Sequence, residues 1–266
     1  MTRLREVLGD SPGLIPAGVR KQVEQLLRRQ SKTGHLPSML IVGESGVGKS
    51  RLARAIHDAG PRATRPFIPV GVAGIPATLL EAELFGFERG AFTGARHAQP
   101  GLFETAHRGT LSISNIGLLE ETLQAKLLTV LEEGTVCRLG GTGSEPVDVS
   151  LISETYEDLN SAMGWGRFRE DLLQRLAVVT IRLPPLRERG RAILTLARHY
   201  LARHCAEYGA SPKTFTEDAR GALLAYSWPG NVRELCNVME RVVLLSGEGP
   251  RVTHDMLDLS IPEHTR

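Results

Sequence analysis

The residues with the clearest chemistry form the segment GESGVGKS at positions 43–50, which fits the pattern G-x-x-x-x-G-K-[ST]. An apolar strand is predicted just before it at Met39–Val42, and a helix just after it from Arg51. In a strand–loop–helix setting, glycines let backbone N–H groups surround a phosphate, the lysine reaches the β- and γ-phosphates, and the final hydroxyl coordinates Mg²⁺. The N-terminus of the helix also favours an anion.

This segment therefore predicts a site for the phosphates of a nucleotide, with Ser50 as a metal ligand. The alternative is a glycine-rich turn that binds nothing, and it is disfavoured because the complete pattern occurs in the expected context. The predicted phosphate-binding residues are Gly43, Glu44, Ser45, Gly46, Val47, Gly48, Lys49 and Ser50.

A second glycine-rich segment, GFERGAFTGA, occupies positions 86–95. Its glycines at positions 86, 90 and 94 do not suit the interior of a helix or a strand, so a loop is predicted. Two interpretations are equal on the residues alone. The segment is either a connector with Phe92 buried in the core, or a contact loop whose exposed aromatic ring binds a partner.

Apolar strands and amphipathic helices alternate up to Pro184, which predicts an α/β fold with a parallel sheet covered on both faces. After the segment LPPL at 183–186 the chain is predicted to be helical. We therefore expect an α/β nucleotide-binding core over residues 1–184 and a small helical lid over residues 185–266. The predicted strands are 39–42, 67–70, 109–117, 136–139, 147–152 and 178–181; the predicted helices are 19–29, 51–56, 78–85, 119–131, 168–176, 193–205, 217–226 and 231–245.

Composition excludes several classes of protein. The chain has 266 residues, and its net charge of +2 is too small to indicate nucleic-acid binding by bulk electrostatics. Its cysteines, Cys137, Cys205 and Cys236, form no CxxC pair and are expected to be reduced thiols of a cytoplasmic protein. No apolar run is long enough for a membrane span, and the first residues lead into no secretory signal.

Several motifs together resemble the AAA+ domain of sigma-54-dependent transcriptional activators, also called bacterial enhancer-binding proteins. The resemblance covers nearly the whole chain, and the GAFTGA sequence at positions 90–95 is close to diagnostic. The other motifs are the phosphate loop, ELFG at 83–86, GRFREDL at 166–172, LPPLRER at 183–189 and WPGNVREL at 228–235.

The resemblance implies a ring, usually a hexamer, that binds ATP with Mg²⁺ between subunits. Hydrolysis in such a ring moves the GAFTGA loop against sigma-54 and remodels the closed promoter complex of its RNA polymerase. The implied sigma-54 contacts are Gly90, Ala91, Phe92, Thr93, Gly94 and Ala95.

The resemblance also assigns roles to three arginines. Arg169 and Arg175 match the arginines that reach into a neighbouring subunit's site, where an arginine stabilises the charge of the transition state. Arg233 matches the lid arginine that senses the nucleotide. Without the resemblance, each would be interpreted as a solvated surface charge.

The main departure from the family falls on the residues of hydrolysis. Strand 111–116 matches the Walker B strand, but the expected Asp-Glu pair is replaced by Ser114 and Asn115. Serine is neutral and supports a metal ion only weakly. Asparagine can orient a water molecule but cannot accept its proton at neutral pH. Glu120 and Glu121 are predicted to lie in the first turn of the following helix instead.

Two more matches are lost. The Thr-Asn sensor of the family is Thr155-Tyr156 here, and the asparagine that restrains the catalytic glutamate falls on Gly71. The leading hypothesis is therefore a sigma-54-interacting regulator that binds ATP with impaired hydrolysis. In a sharper version, it either serves in a mixed ring beside an active paralogue or poisons that paralogue. One alternative is an active ATPase that compensates through Glu154 or Glu157. A decayed copy without function is another.

Two features common in the family are not visible in the sequence. These 266 residues include no receiver or ligand-sensing domain before the core and no room for a helix-turn-helix after Leu259. The sequence is therefore expected to be either an isolated domain of a longer protein or a stand-alone protein. The expected partners are therefore sigma-54 RNA polymerase and other AAA+ subunits, without a direct DNA-binding element and without a membrane.

Overall fold

The computed structural model describes residues 13–29, 36–247 and 249–259. The chain folds into two compact units. Within the described residues, the first unit comprises Gly18–Gly43 and Lys49–Arg182, and the second comprises residues 13–17, Glu44–Gly48 and the part of the chain from Leu183 onward. The two ends of the predicted domains, at residues 1–12 and 260–266, lie outside the described residues.

The first unit alternates strands and helices along the chain. Its strands are β1 (Met39–Val42), β2 (Phe67–Gly71), β3 (Gly86–Phe87), β4 (Gln99–Pro100), β5 (Thr110–Ser114), β6 (Thr135–Cys137), β7 (Ser144–Pro146), β8 (Ser150–Thr155) and β9 (Val179–Arg182). Its helices are α1 (Ala17–Arg28), α2 (Lys49–Ala59), α3 (Ala77–Phe85), α4 (Leu102–Thr105), α5 (Glu121–Glu133), α6 (Leu159–Gly164) and α7 (Glu170–Leu176).

A parallel sheet with the strand order β2-β5-β8-β1-β9 organises this unit. This confirms the predicted α/β class. Pro69 lies in β2 at the edge of the sheet, where a missing N–H donor is tolerated. The predicted strand at 136–139 is different: β6 leaves the main sheet and pairs with β7 as a short antiparallel hairpin.

The leucine row after β5 packs into the core of the first unit. Leu119, Leu123 and Leu127 are buried, and the last two lie on one face of α5. Gly134 ends the helix with a φ of 66°, and its N–H group bonds to the carbonyl of Val130. Glycine is the residue that adopts this left-handed conformation most readily, so the predicted helix stop is confirmed.

The second unit is mainly helical. Its helices are α8 (Ala192–Glu207), α9 (Glu217–Ala225), α10 (Asn231–Leu245) and α11 (His254–Leu257), and its short strands are β10 (Thr214–Phe215) and β11 (Arg251–Val252). The predicted helix at 231–245 is confirmed at both ends. One face of α10 is buried, which follows from the spacing of its apolar residues: Val232, Leu235, Val238, Met239, Val242 and Val243.

Leu235 and Leu244 provide a matched test of this packing. Both lie on α10, but Leu235 is fully buried whereas Leu244 is 56% exposed. Leu235→Ala is expected to lower the free energy of unfolding by about 2–5 kcal/mol, because the truncation leaves a cavity. Leu244→Ala is expected to change it by less than about 1 kcal/mol. Denaturant unfolding of both variants checks this, and equal losses would contradict the assigned face.

The phosphate loop, the edge of the sheet and the GAFTGA loop

Helix α2 begins at the predicted lysine, so the phosphate-binding pattern occurs in its expected setting. Lys49 donates a hydrogen bond from Nζ to the carbonyl oxygen of Gly43, over 2.8 Å. Ser50, in the first turn of α2, donates from Oγ to Oε2 of Glu154 over 2.7 Å. The lysine and the serine are therefore at the start of a helix that follows a buried strand, as the chemistry requires.

Loop residues 44–48 belong to the second unit, where glycines are required by the backbone. Gly46 and Gly48 have φ values of +77° and +105°, which side chains rarely allow. A β-carbon at Gly46 would lie 2.2 Å from the carbonyl oxygen of Gly230. That carbonyl precedes α10, whose second residue, Val232, donates its N–H to the carbonyl of Gly46 over 3.0 Å.

Asn231 fixes the path of this loop from the start of α10. Its side chain is fully buried and donates to Oε2 of Glu44 and to the carbonyl of Ser45, each over 3.0 Å. Its side-chain oxygen accepts the N–H of Leu186 over 2.7 Å. The φ of 54° at Asn231 lies in the left-handed region that asparagine tolerates better than most residues.

Two arginines of the second unit complete the support of the loop. Arg187 binds Glu44 with two hydrogen bonds of 2.9 and 2.6 Å, and this contact holds the pKa of Glu44 below its usual range. Arg189 donates to the carbonyls of Leu14, Val47 and Pro184. Burial lowers the pKa of Arg189 to about 10. The motifs that contain Asn231, Arg187 and Arg189 are apparent in the sequence, but their role in supporting the loop is not.

Arg233, the predicted nucleotide-sensing residue, is exposed on α10. Its Nη1 donates to Oγ of Ser45 over 3.2 Å. The structure therefore brings this arginine to the phosphate loop.

The end of β5 carries Ser114 and Asn115, the positions that the resemblance assigns to the Walker B pair. Ser114 is half-buried and donates a long hydrogen bond of 3.4 Å to the carbonyl of Val70. Asn115 follows in the left-handed conformation with a φ of 59°. Gly71 pairs with Ser114 across the sheet, and a β-carbon on Gly71 would lie 3.4 Å from Oγ of Ser114. The two altered positions are therefore neighbours.

Glu154 lies on the next strand at the same level, since the register pairs it with Ser114. Its side chain is almost completely buried, and both carboxylate oxygens accept hydrogen bonds from serines. Oε2 accepts from Ser50, and Oε1 accepts from Ser112 over 3.2 Å. Burial raises the pKa of Glu154, while these two bonds and the charge of Lys49 oppose the shift.

The altered sensor position follows directly. Thr155 is buried, and its Oγ1 accepts the N–H of Glu157 over 3.0 Å. Tyr156 is half-exposed and lines a cavity of about 260 Å³ together with Glu157, Asp158 and Arg182. Glu154 and Glu157, the two glutamates that could replace the missing base, therefore lie in different surroundings. Glu154 accepts a hydrogen bond from Ser50, and Glu157 lines this cavity.

The two predicted neighbour-reaching arginines lie on the surface of the first unit at α7. Arg169 precedes the helix and forms an ion pair with Asp171 at 2.7 Å. Arg175 lies in its last turn and forms an ion pair with Glu132 at 3.2 Å. Each is therefore placed by a carboxylate of its own chain, and such exposed pairs are weak.

The GAFTGA loop has a fixed base and an open tip. Phe92 is 47% exposed and packs edge-on against Phe87, with the ring centroids 4.9 Å apart. This lies between the two interpretations of the sequence, since Phe92 is neither buried in the core nor fully exposed. Gly90 and Gly94 have φ values of +85° and +107° with open space around them. Gly90 donates its N–H to the carbonyl of Ala95 over 2.9 Å, which closes the loop.

Arg138 links the base of this loop to helix α4 of the same unit. It donates to Glu88 over 3.0 Å and to Glu104 over 2.6 and 2.9 Å. These bonds hold the pKa of Glu104 below its usual range.

No cluster of three or more His, Cys, Asp or Glu side chains that could bind a metal by itself occurs in the part of the chain that the structure describes. Among the same residues, no helix is both long and apolar enough to cross a membrane. Cys137 is exposed, Cys205 is buried and Cys236 is half-buried, and all are free thiols.

Comparison with known proteins gives a consistent result. The model of the Sigma-54 interaction domain matches residues 17–182, and that of the AAA+ ATPase lid domain matches residues 187–266. The Nif-specific regulatory protein of Azotobacter vinelandii is 44% identical over 254 residues, which cover 96% of this chain and 47% of that protein. Regulatory protein AtoC of Escherichia coli strain K12 is 48% identical over 213 residues, covering 80% of this chain and 46% of that protein.

A crystal structure of NtrX from Brucella abortus in complex with ATP superposes with a TM-score of 0.80 at 35% identity, covering 91% of this chain and 53% of that one. The chain spans about half the length of the curated relatives it matches. The predicted AAA+ fold is thereby confirmed. The chain belongs to the sigma-54 interaction family of AAA+ proteins, the family of the sigma-54-dependent transcriptional activators.

Proposed function

We propose that this chain binds ATP, contacts sigma-54 and hydrolyses the nucleotide slowly or not at all. The observation that carries the proposal is the contrast between two parts of one site. The phosphate loop retains its glycines, lysine and serine, whereas β5 ends in Ser114 and Asn115 opposite Gly71. Binding chemistry is therefore present without a general base at position 115.

Nucleotide binding is supported by the fit of the loop to a phosphate. The positive φ values at Gly46 and Gly48 suit a loop whose backbone N–H groups surround a phosphate, and Lys49 supplies positive charge at the start of α2. Within the second unit, Arg233 contacts Ser45 of the loop. The ATP complex of the related NtrX supports ATP as the ligand. Bound Mg²⁺ would supply charge neutralisation of the phosphates, with Ser50 among its ligands.

Nucleotide affinity and turnover should be measured on one preparation. The wild-type chain is expected to bind ATP and ADP with turnover far below the rate typical of the family, and Lys49→Ala is expected to lose binding. The double variant Ser114→Asp, Asn115→Glu is expected to raise turnover by about 10²–10⁴-fold, because it supplies a carboxylate base. Steady turnover by the wild type at a rate typical of the family, abolished by Lys49→Ala, would favour the alternative of an active ATPase.

The sigma-54 contact is assigned to the tip of the GAFTGA loop, at Gly90, Ala91, Phe92, Thr93 and Gly94. Ala95, which the resemblance also implies, is buried and accepts the N–H of Gly90 at the base of the loop. An exposed aromatic ring on a loop with a fixed base is a suitable anchor for a partner surface. The partly exposed ring of Phe92 and the open space at Gly90 and Gly94 support this assignment.

Phe92→Ala is expected to weaken binding to purified sigma-54 by about tenfold or more, since truncation of a central aromatic contact has effects of this size. Nucleotide affinity should stay unchanged. Tyr208→Ala is the matched control, because Tyr208 is 49% exposed and lies in the second unit. Equal binding by wild type and Phe92→Ala would contradict the assignment.

Assembly into a ring is the second part of the proposal. Arg169 and Arg175 are both exposed, and each pairs with an exposed carboxylate of its own chain. Because such pairs are weak, both arginines can act on a neighbouring subunit while this chain's own site lacks its base. In a mixed ring with an active paralogue, Arg169 and Arg175 of this chain would act on the nucleotide site of the paralogue.

Mixing this chain with an active AAA+ domain of the same family tests the mixed ring. The ATPase rate of the mixture is expected to exceed the sum of the rates of the two separate proteins, because the arginines of this chain act on the active sites of the partner. The double variant Arg169→Ala, Arg175→Ala is expected to lose that stimulation, since an arginine in trans is worth about 10³–10⁵ in rate. Arg198→Ala, at an exposed position on α8, is the control. Additive rates without co-elution would rule out the mixed ring.

A further inference from the structure

Glu154 is a buried carboxylate that the proposed function does not yet use. Its side chain is 2% exposed, and it lies beside the serine that the phosphate-binding pattern assigns to the metal. The parallel register places it directly beside Ser114, where the family pattern has the metal-supporting aspartate. The acidic group is therefore displaced by one strand, from β5 to β8, at the same level of the sheet.

The neighbouring residues on β5 suit this displacement. Ser112 and Ser114 lie two residues apart and so project from the same face of the strand. Both are short, which leaves room for the longer glutamate from β8. Ser112 also donates a hydrogen bond to Oε1 of Glu154 over 3.2 Å. Larger side chains at positions 112 and 114 would compete with Glu154 for the same space.

The charge of Glu154 also requires a partner. A buried carboxylate carries a large desolvation cost unless a cation or several donors compensate it. Two serine hydroxyls donate to it, and Lys49 contributes a positive charge nearby. The carboxylate of Glu154 and the hydroxyl of Ser50 have oxygen atoms 2.7 Å apart. Hard divalent cations prefer oxygen ligands of this kind, with water and phosphate oxygens as the other ligands.

We propose that Glu154 is the carboxylate that supports Mg²⁺ in this chain, together with Ser50, in place of the aspartate missing at position 114. The inference rests on the proposed nucleotide site. Glu154 is assigned to the metal and not to the attacking water, because its carboxylate accepts a hydrogen bond from the hydroxyl of Ser50, the predicted metal ligand. The chain then retains the metal of a bound nucleotide while it lacks the base that would activate water.

The Mg²⁺ dependence of nucleotide binding tests this assignment without any measurement of turnover. The affinity for ADP is measured by calorimetry in Mg²⁺ and in EDTA. Wild type is expected to bind more tightly in Mg²⁺. Glu154→Gln, which keeps the shape but removes the charge, is expected to lower the apparent Mg²⁺ affinity of the complex by about 10–100-fold. Glu157→Gln is the matched control and should behave as wild type.

A second variant guards against a folding defect in the first. Ser114→Asp combined with Glu154→Ala returns the carboxylate to β5 and is expected to restore the Mg²⁺ dependence. Wild-type binding that is equal in Mg²⁺ and EDTA would overturn the inference, as would unchanged Mg²⁺ affinity in Glu154→Gln. Absence of ADP binding under both conditions would instead overturn the nucleotide site itself, and the metal assignment with it.

Discussion

The register of the parallel strands determines which side chains can meet at the carboxyl ends of the strands. Gly71 on β2 pairs with Ser114 on β5, and Ser114 pairs with Glu154 on β8. Changes at these three positions therefore alter one continuous surface. The same register places β1 beside β8, and β1 leads into the phosphate loop. Substitutions far apart in sequence therefore act together, because the sheet brings them to one level.

In the proposed function, the residues at the carboxyl ends of these strands separate the holding of a nucleotide from its cleavage. The groups proposed to hold the nucleotide and its metal are present: the glycine loop, Lys49, Ser50 and the buried Glu154. The position of the general base carries an amide at Asn115. A protein with this combination would keep the nucleotide as a structural ligand, so that binding energy contributes to the stability of the folded state and not to turnover.

Much of the fold could be predicted from the sequence because it depends on local patterns. The phosphate loop, the leucine row of α5 and both ends of α10 follow from glycine placement and helical periodicity. The role of Asn231 could not be predicted, because its partners Glu44 and Ser45 are nearly 190 residues away in sequence. The pairing of β6 with β7 outside the main sheet was not predicted either, since an apolar strand does not indicate its partner.

The contacts of Glu154 with Ser50 and Ser112 also could not be predicted from the sequence. The position of Glu154 in the sequence places it near the altered sensor, as does that of Glu157. The spacing of the residues does not indicate which of the two glutamates faces the phosphate loop. Only the alternation of side chains along β8 decides that Glu154 faces Ser50 and Ser112. Phe92 was undecided for a related reason: its contact with Phe87 depends on how the loop folds back on its own base.

The anchoring of the GAFTGA loop by Arg138 has a consequence for the entropy of partner binding. Arg138 already fixes the base through Glu88 and Glu104, so any ordering that accompanies the proposed partner binding is restricted to the short tip between Gly90 and Gly94. Each residue immobilised on binding carries a cost, and restricting that cost to a few positions leaves more of the contact energy as affinity. The two glycines at the tip meanwhile let it adopt more than one shape on the same stalk.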